Sequence, residues 1–374
     1  MPQLADRSDK YSVIRTLNHS QNDHNGTHII QTGRPIPPAD RGADNVNATT
    51  RDWPAYGPVV SYLDQQARSF GRFSALRLPA AAVGAFRRLR HQRAVRRLAG
   101  ECLEPHGHAH SARNSADNPF FRDCTDEELD FRLNGLESFP DVTLDRLDHR
   151  RNLLSQLDDE RRRIDRLSAV RSYSGLESRA LKLLSSPQIA EAFDLRREAD
   201  SLRDRYGRNL FGQSLLMGRR MIEAGARFVT VAWDLAVRGD VCGSWDMHGC
   251  LTDVMRNHLL PGLDHGFSAL LDDMQDRGLL EETLVLAVGE MGRTPSFKNR
   301  GNSDGRDHWS YCFPALLAGA GIRGGTLYGE SDKDAAYPVT LPVSPADRGP
   351  RSFPRWECAR HPHPRCTRTS GAGH

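Results

Sequence analysis

"LLPGLDHGFSALLDDMQDRGLLEETLVLAVGE", residues 259–290, is the stretch whose reading decides the fold. Leu259, Leu263, Phe267, Leu270, Leu271 and Met274 recur at steps of three and four. That spacing puts them on one helical face and predicts a helix from about Leu251 to Arg277. Gly278 is placed to end it, because glycine takes the left-handed C-cap conformation without steric cost. The run from Thr283 to Val288 is short, apolar and carries three β-branched residues, so it reads as a buried strand. A carboxylate, Glu290, follows directly.

The same alternation continues on both sides. Upstream, "RFVTVAWD" (227–234) reads as another buried strand, and residues 175–225 carry helical periodicity that Pro187 splits in two and Gly225 caps. Residues 144–167 are more charged and read as surface helix. Downstream, "FPALLAGAG" (313–321) reads as a short apolar helix. At the start of the chain, Tyr11 to Ile14 form a β-like run that leads into the polar loop "NHSQNDHNGTHIIQTGRPIPP". Alternating strands and helices predict an α/β fold, with a largely parallel sheet flanked by helices and right-handed crossovers.

With 374 residues, a hydrophobic fraction of 38% and a net charge of +3, the chain can bury a substantial core and has no global field drawing it to nucleic acid or anionic membranes. Four lysines stand against 47 arginines, a bias that points to a GC-rich gene before arginine-specific chemistry. Residues 68–113 hold ten of those arginines and no aspartate. There "AFRRLRHQRAVRRLAG" reads either as a basic helix facing phosphate or as irregular, out-of-frame sequence. The tail from Arg348 has the same look. The expected organisation is one domain over 1–347, with an irregular Arg-rich segment at 68–118 and a disordered or out-of-frame tail at 348–374. Seven scattered cysteines without a C-x-x-C pair read as buried or incidental thiols. No run is long and apolar enough for a membrane helix, and no basic-then-apolar leader opens the chain, so as written the chain reads as cytoplasmic.

Three loops carry candidate chemistry at or beyond strand ends, where open α/β sheets gather ligands. In "SWDMHG", Asp246 and His248 stand two apart, which in extended backbone aims both side chains the same way. They suit Zn, Mn or Fe, or else form a structural Asp–His pair. In "GEMGRTPSFKNRGNSDGRDHWSY" (289–311), Glu290 emerges at the sheet rim and His308 offers a further nitrogen. Asp307 either ligates or orients an imidazole. Arg293 offers a fork that matches tetrahedral oxyanions, or an ordinary ion pair. Asp304 and Arg306 read as loop solvation. In "NHSQNDHNGTH", which holds His19, Asp23, His24, Thr27 and His28, the Thr27 hydroxyl is the candidate nucleophile; the plainer reading is an N-cap. The tract His106, His108, His110 falls within the Arg-rich segment and reads as incidental.

"SWDMHG", the helix-and-strand stretch through "GEMGRTPSF", and "GRDHWSYCFPALLAGAGIRGGTLYGESDKDAAYPV" resemble, almost continuously over 227–347, the bacterial sulfatase-like family of domain of unknown function 1501. "YSVIRTLNHSQNDHNGTHIIQTGRP" looks like an earlier block of it. The resemblance implies an alkaline phosphatase-like fold with a two-metal centre that cleaves phosphate or sulfate esters. By that resemblance Asp246, His248, Glu290, Asp307 and His308 are metal ligands, while Thr27 is the nucleophile and Arg293 the oxyanion clamp. Divalent ions are implied as cofactors, Zn first and Mn or Ca after it. The implied partner is a small-molecule or glycan ester, with no nucleic acid and no membrane. The family usually opens with an export signal and an aspartate-bearing first strand, so this chain is expected to lack that strand and a C-terminal helix. The C-x-P-x-R signature of formylglycine sulfatases is absent. The alternative is a catalytically degenerate glycan- or anion-binding protein.

Overall fold

Strand β1 (Tyr11–Leu17) alternates buried and more exposed positions until it ends on Thr16 and Leu17, both buried, and it is the organising strand of the main sheet. The computed structural model describes residues 1–35, 53–60, 63, 81–83, 101–106, 117–133, 191–233, 244–300 and 303–348. Helices α1 (Pro2–Ala5) and α2 (Gly26–Thr32) flank β1 in sequence. Three short strands follow, β2 (Ala81–Val83), β3 (Glu101–His106) and β4 (Asp130–Leu133). Next come helices α3 (Asp200–Tyr206) and α4 (Leu210–Glu223), then β5 (Val229–Val231). The expected cap of this helical stretch, Gly225, has φ 101° and lies two residues beyond the end of α4.

The expected helix over 251–277 is three pieces: α5 (Leu251–Val254), a π-helical turn (Met255–Leu259) and α6 (Leu260–Asp276). Pro261 follows the π-helical turn within one continuous helical run, so it removes a backbone donor there. Its ring clashes with the carbonyl four residues back, and a widened turn upstream relieves that clash. Leu259, Phe267, Leu270, Leu271 and Met274 are buried as their spacing predicts. The remaining strands are β6 (Val285–Val288), β7 (Gly292–Arg293), β8 (Lys298–Arg300), β9 (Ser303–Gly305), β10 (His308–Trp309), β11 (Phe313–Ala318), β12 (Leu327–Tyr328), β13 (Glu330–Ser331) and β14 (Pro338–Thr340).

The main sheet runs β12-β1-β11-β6, with β11 antiparallel to both β1 and β6 and only β1 and β12 parallel. This corrects the expected largely parallel, alkaline phosphatase-like sheet: the fold is mixed α/β and its main sheet is mostly antiparallel. The error lies in residues 313–321, read as a helix. Six apolar residues carry no period that separates strand from buried helix. Gly319 and Gly321, at φ 72° and 79°, close the run before a helix could form. The strand they leave fits between β1 and β6.

A second sheet, β4-β3-β2-β5, pairs β2 in parallel with both β3 and β5. Its strands β2 and β3 fall inside the segment expected to be irregular. The expected helices over 144–167 and around Pro187, the basic piece at 85–100, and the tail beyond Arg348 lie outside the described residues. Helices α3, α4 and α6 pack on one another and α4 lies against β5 and β2 of the second sheet, while Leu216, Met217 and Leu271 share a buried cluster with Ala318 of the main sheet. Ile14, Leu17, Phe313, Ala315 and Leu317 fill the other face.

The N-terminus is tied to α6 by charge. The Asp272 carboxylate accepts hydrogen bonds from Arg7, Lys10 and Arg205 at 2.6–2.8 Å. Burial alone would raise its pKa, but these three donors outweigh burial and hold it well below the usual carboxylate range. A depressed folded pKa contributes stability that is present above the unfolded value, about 3.9, and lost as pH falls toward the folded one. Wild type should therefore exceed Asp272→Asn by about 2 kcal/mol at pH 7. Urea titrations should show that gap closing as the pH drops below about 4.

Candidate metal centre

Four chain segments meet at one end of the main sheet: the loop after β1, the bend 244–250, the stretch after β6, and β10. The bend does not have the extended backbone expected for "SWDMHG", because the His248 N–H donates to the Asp246 carbonyl at 3.2 Å. Both side chains nevertheless converge. His248 Nε2 and His308 Nε2 each lie 3.1 Å from Asp246 Oδ1 and 3.1 Å from one another. His24 Nε2 reaches Asp246 Oδ2 at 3.3 Å, so His24, Asp246 and His308 form a group able to hold an ion. Donor atoms around a tetrahedral Zn at ~2.0–2.1 Å stand about 3.4 Å apart, so the donors present fit such an ion. The segments can approach this closely because residue 305 is glycine: a Cβ there would lie 2.0 Å from the His248 carbonyl oxygen.

The other expected site residues join the same network. Asp307 Oδ1 lies 3.1 Å from His248 Nδ1, which places it as the carboxylate orienting that imidazole. Arg293, opposite His308 in the β7–β10 ladder, donates to Asp246 Oδ1 at 2.6 Å and to the Trp245 carbonyl at 3.0 Å. Glu290 stands two residues beyond the end of β6. Its Oε1 is 2.6 Å from His24 Nδ1, and its Oε2 accepts the Thr27 hydroxyl. Glu290 thus lies one imidazole away from Asp246, on the Thr27 side. Asn25 is the N-cap of α2, leaving Thr27 as the second helical residue with its hydroxyl turned to Glu290. Asp304 accepts the Thr252 N–H at 2.9 Å, and Arg306 donates to the Thr294 carbonyl.

His24 was visible in sequence only as one histidine of a polar loop. Folding makes it the bridge between Asp246 and Glu290. Hydrogen bonds to Asp246 first, and then to Glu290, push its pKa up to about 10 against the opposing effect of burial. For Asp246, burial favours the neutral acid. Hydrogen bonds from His24, His308 and Arg293 overcome that and hold its carboxyl far below the usual range. Burial pushes the His19 imidazole down. Cys250, at the end of the bend, is disulfide-bonded, unlike the incidental thiol expected from the sequence, while Cys124 and Cys312 are free.

No curated protein and no solved structure matches the chain. One family model does match, over residues 1–347, and that span includes all four segments of the centre. The chain belongs to the family described as "Protein of unknown function (DUF1501)".

Proposed function

We propose that this chain is a metal-dependent hydrolase of phosphate or sulfate esters, sulfatase-like in its chemistry, acting on a small molecule or a glycan. The observation that supports this reading best is the triangle of His248 Nε2, His308 Nε2 and Asp246 Oδ1, with the His24 imidazole beside it. Imidazoles with one carboxylate suit Zn first, and Mn or Ca less well because those ions prefer more oxygen donors. Asp246, His248 and His308 would hold the ion, joined by His24 once binding displaces the ring proton that its two carboxylate partners stabilise. Bound there, it would act as a Lewis acid toward the ester oxygens.

The chain's own residues supply the rest. Thr27 Oγ attacks phosphorus or sulfur as its proton passes to the Glu290 carboxylate it already faces; the bond to the ester oxygen breaks, and that oxygen takes a proton from solvent and leaves as the alcohol, while Glu290 returns its proton to solvent. Water then cleaves the Thr27 ester. Arg293, held against the cluster by Asp246 and the Trp245 carbonyl, supplies a cationic fork for the non-bridging oxygens.

The test is turnover of 4-nitrophenyl phosphate and 4-nitrophenyl sulfate by protein loaded with Zn or Mn. Thr27→Ala should lower turnover at least about a hundredfold with bound metal unchanged. Tight binding of sulfated glycans without turnover of either ester would favour the degenerate binding protein instead.

A further inference from the structure

The loop that carries His24 is tied down by side chains that never reach the triangle of donors. Asn22 Oδ1 accepts the Ser310 N–H at 2.9 Å while its Nδ2 donates to the His308 carbonyl at 3.1 Å. One amide side chain therefore grips the main chain on both sides of residue 309, as a neighbouring strand would. His19 closes the other end. Its Nδ1 accepts the Gln21 N–H at 3.2 Å, which leaves the proton on Nε2 to donate to the Glu290 carbonyl at 2.6 Å. The His19 N–H also donates to the Ser310 carbonyl at 2.9 Å. The fit is close: a Cβ on Gly26 would lie 3.0 Å from both His19 Cε1 and the Glu290 carbonyl oxygen.

We propose that Asn22 and His19 are positioning residues whose side chains lash the His24 loop to the main chain around His308 and at Glu290, and so set the spacing of the donor cluster. The consequence is the edge-on contact of the His24 and His308 rings, centroids 4.7 Å apart. Neither residue offers a donor atom to the cluster. Each instead fixes a segment that does, as outer partners fix metal ligands elsewhere. The claim about ion affinity rests on the metal-centre reading; the claim about geometry stands without it.

Two measurements on the full chain test the proposal. The first is the ring-to-ring nuclear Overhauser effect between His24 and His308 in metal-free, histidine-labelled protein. The second is Zn affinity by competition with a chromophoric chelator. Asn22→Asp keeps the size and the acceptor but loses the donor to His308, and His19→Leu loses both of its ring hydrogen bonds. Both should abolish the ring contact and weaken Zn about 10- to 100-fold. His19→Gln, which keeps a donor for Glu290, should stay within about threefold of wild type. Asp264→Asn removes the carboxylate that accepts from Gln3 N and Leu4 N, far from the loop in sequence. It should lower the melting temperature and leave both readings unchanged. A persisting ring contact in Asn22→Asp, or equal losses in Asp264→Asn, overturns the proposal. If wild type binds no Zn, the functional reading falls, and the ring contact alone decides whether the clasp exists.

Discussion

If the chain is the metal-dependent hydrolase proposed above, Asp246→Asn is expected to lower ester hydrolysis at least about a thousandfold and to strip the ion. Among the described residues, Asp246 is the carboxylate that His24, His248, His308 and Arg293 all address. The amide keeps the shape and one acceptor oxygen but removes the negative charge that faces the Arg293 guanidinium and the His24 ring. Arg293 would then lose the partner that aims it, so oxyanion stabilisation fails with the ion. Metal analysis and 4-nitrophenyl phosphate turnover on the same preparation check this. A variant that kept a stoichiometric ion and wild-type turnover would remove Asp246 from the centre.

The largest stability loss is expected at Arg219, whose side chain is fully buried in α4. It lies 2.8 Å from Glu198, 2.6 Å from Glu223 and 2.8 Å from Asp273. Asp273 also accepts from the buried Tyr206 hydroxyl at 2.9 Å and from Arg277 at 2.8 Å. Arg219→Met fills similar space yet takes one of their cations from Glu198 and Asp273, at 10% and 6% exposure, leaving Glu198 with Arg220 and Arg277 and Asp273 with Arg277. Removing the only partner of a buried charge costs about 3–5 kcal/mol; with Arg220 and Arg277 still in place the loss here should be nearer about 3 kcal/mol, which a urea midpoint would show directly. Arg208 is the contrast. Its partners Asp200 and Asp204 are 83% and 62% exposed, so Arg208→Met should cost less than about 1 kcal/mol.

Much of the centre could be read from the sequence, because its chemistry clusters in short loops that follow strands. Thr27, Asp246, His248, Glu290, Arg293, Asp307 and His308 were each singled out by residue type and position, and the fold brings them into one hydrogen-bonded network. What the spacing could not show was which residues touch. His24 becomes the bridge only because β1 and β6 end at the same edge of a sheet, a long-range fact with no local signal. Nor could spacing show that the Glu290 carboxylate meets His24 and Thr27. The parallel sheet was a misreading of one segment. Phe313–Ala318 has the same apolar content as a buried helix turn, and only its pairing with β1 and β6 decides its state. The amphipathic helix around Phe267 and Met274 was legible because seventeen residues of α6 repeat one period; the π-helical turn ahead of Pro261 carries no such signal.

The central claim is that His24, Asp246, His248 and His308 form a metal centre, and metal stoichiometry tests it most directly. Purified protein is equilibrated with Zn or Mn, dialysed against metal-free buffer and analysed for bound ion beside His308→Ala. Retention of a stoichiometric divalent ion by wild type, and its loss from His308→Ala with the melting curve of the metal-free protein unchanged, is the predicted result. Wild-type protein that retains no ion, or a His308→Ala variant that retains as much as wild type, would contradict it.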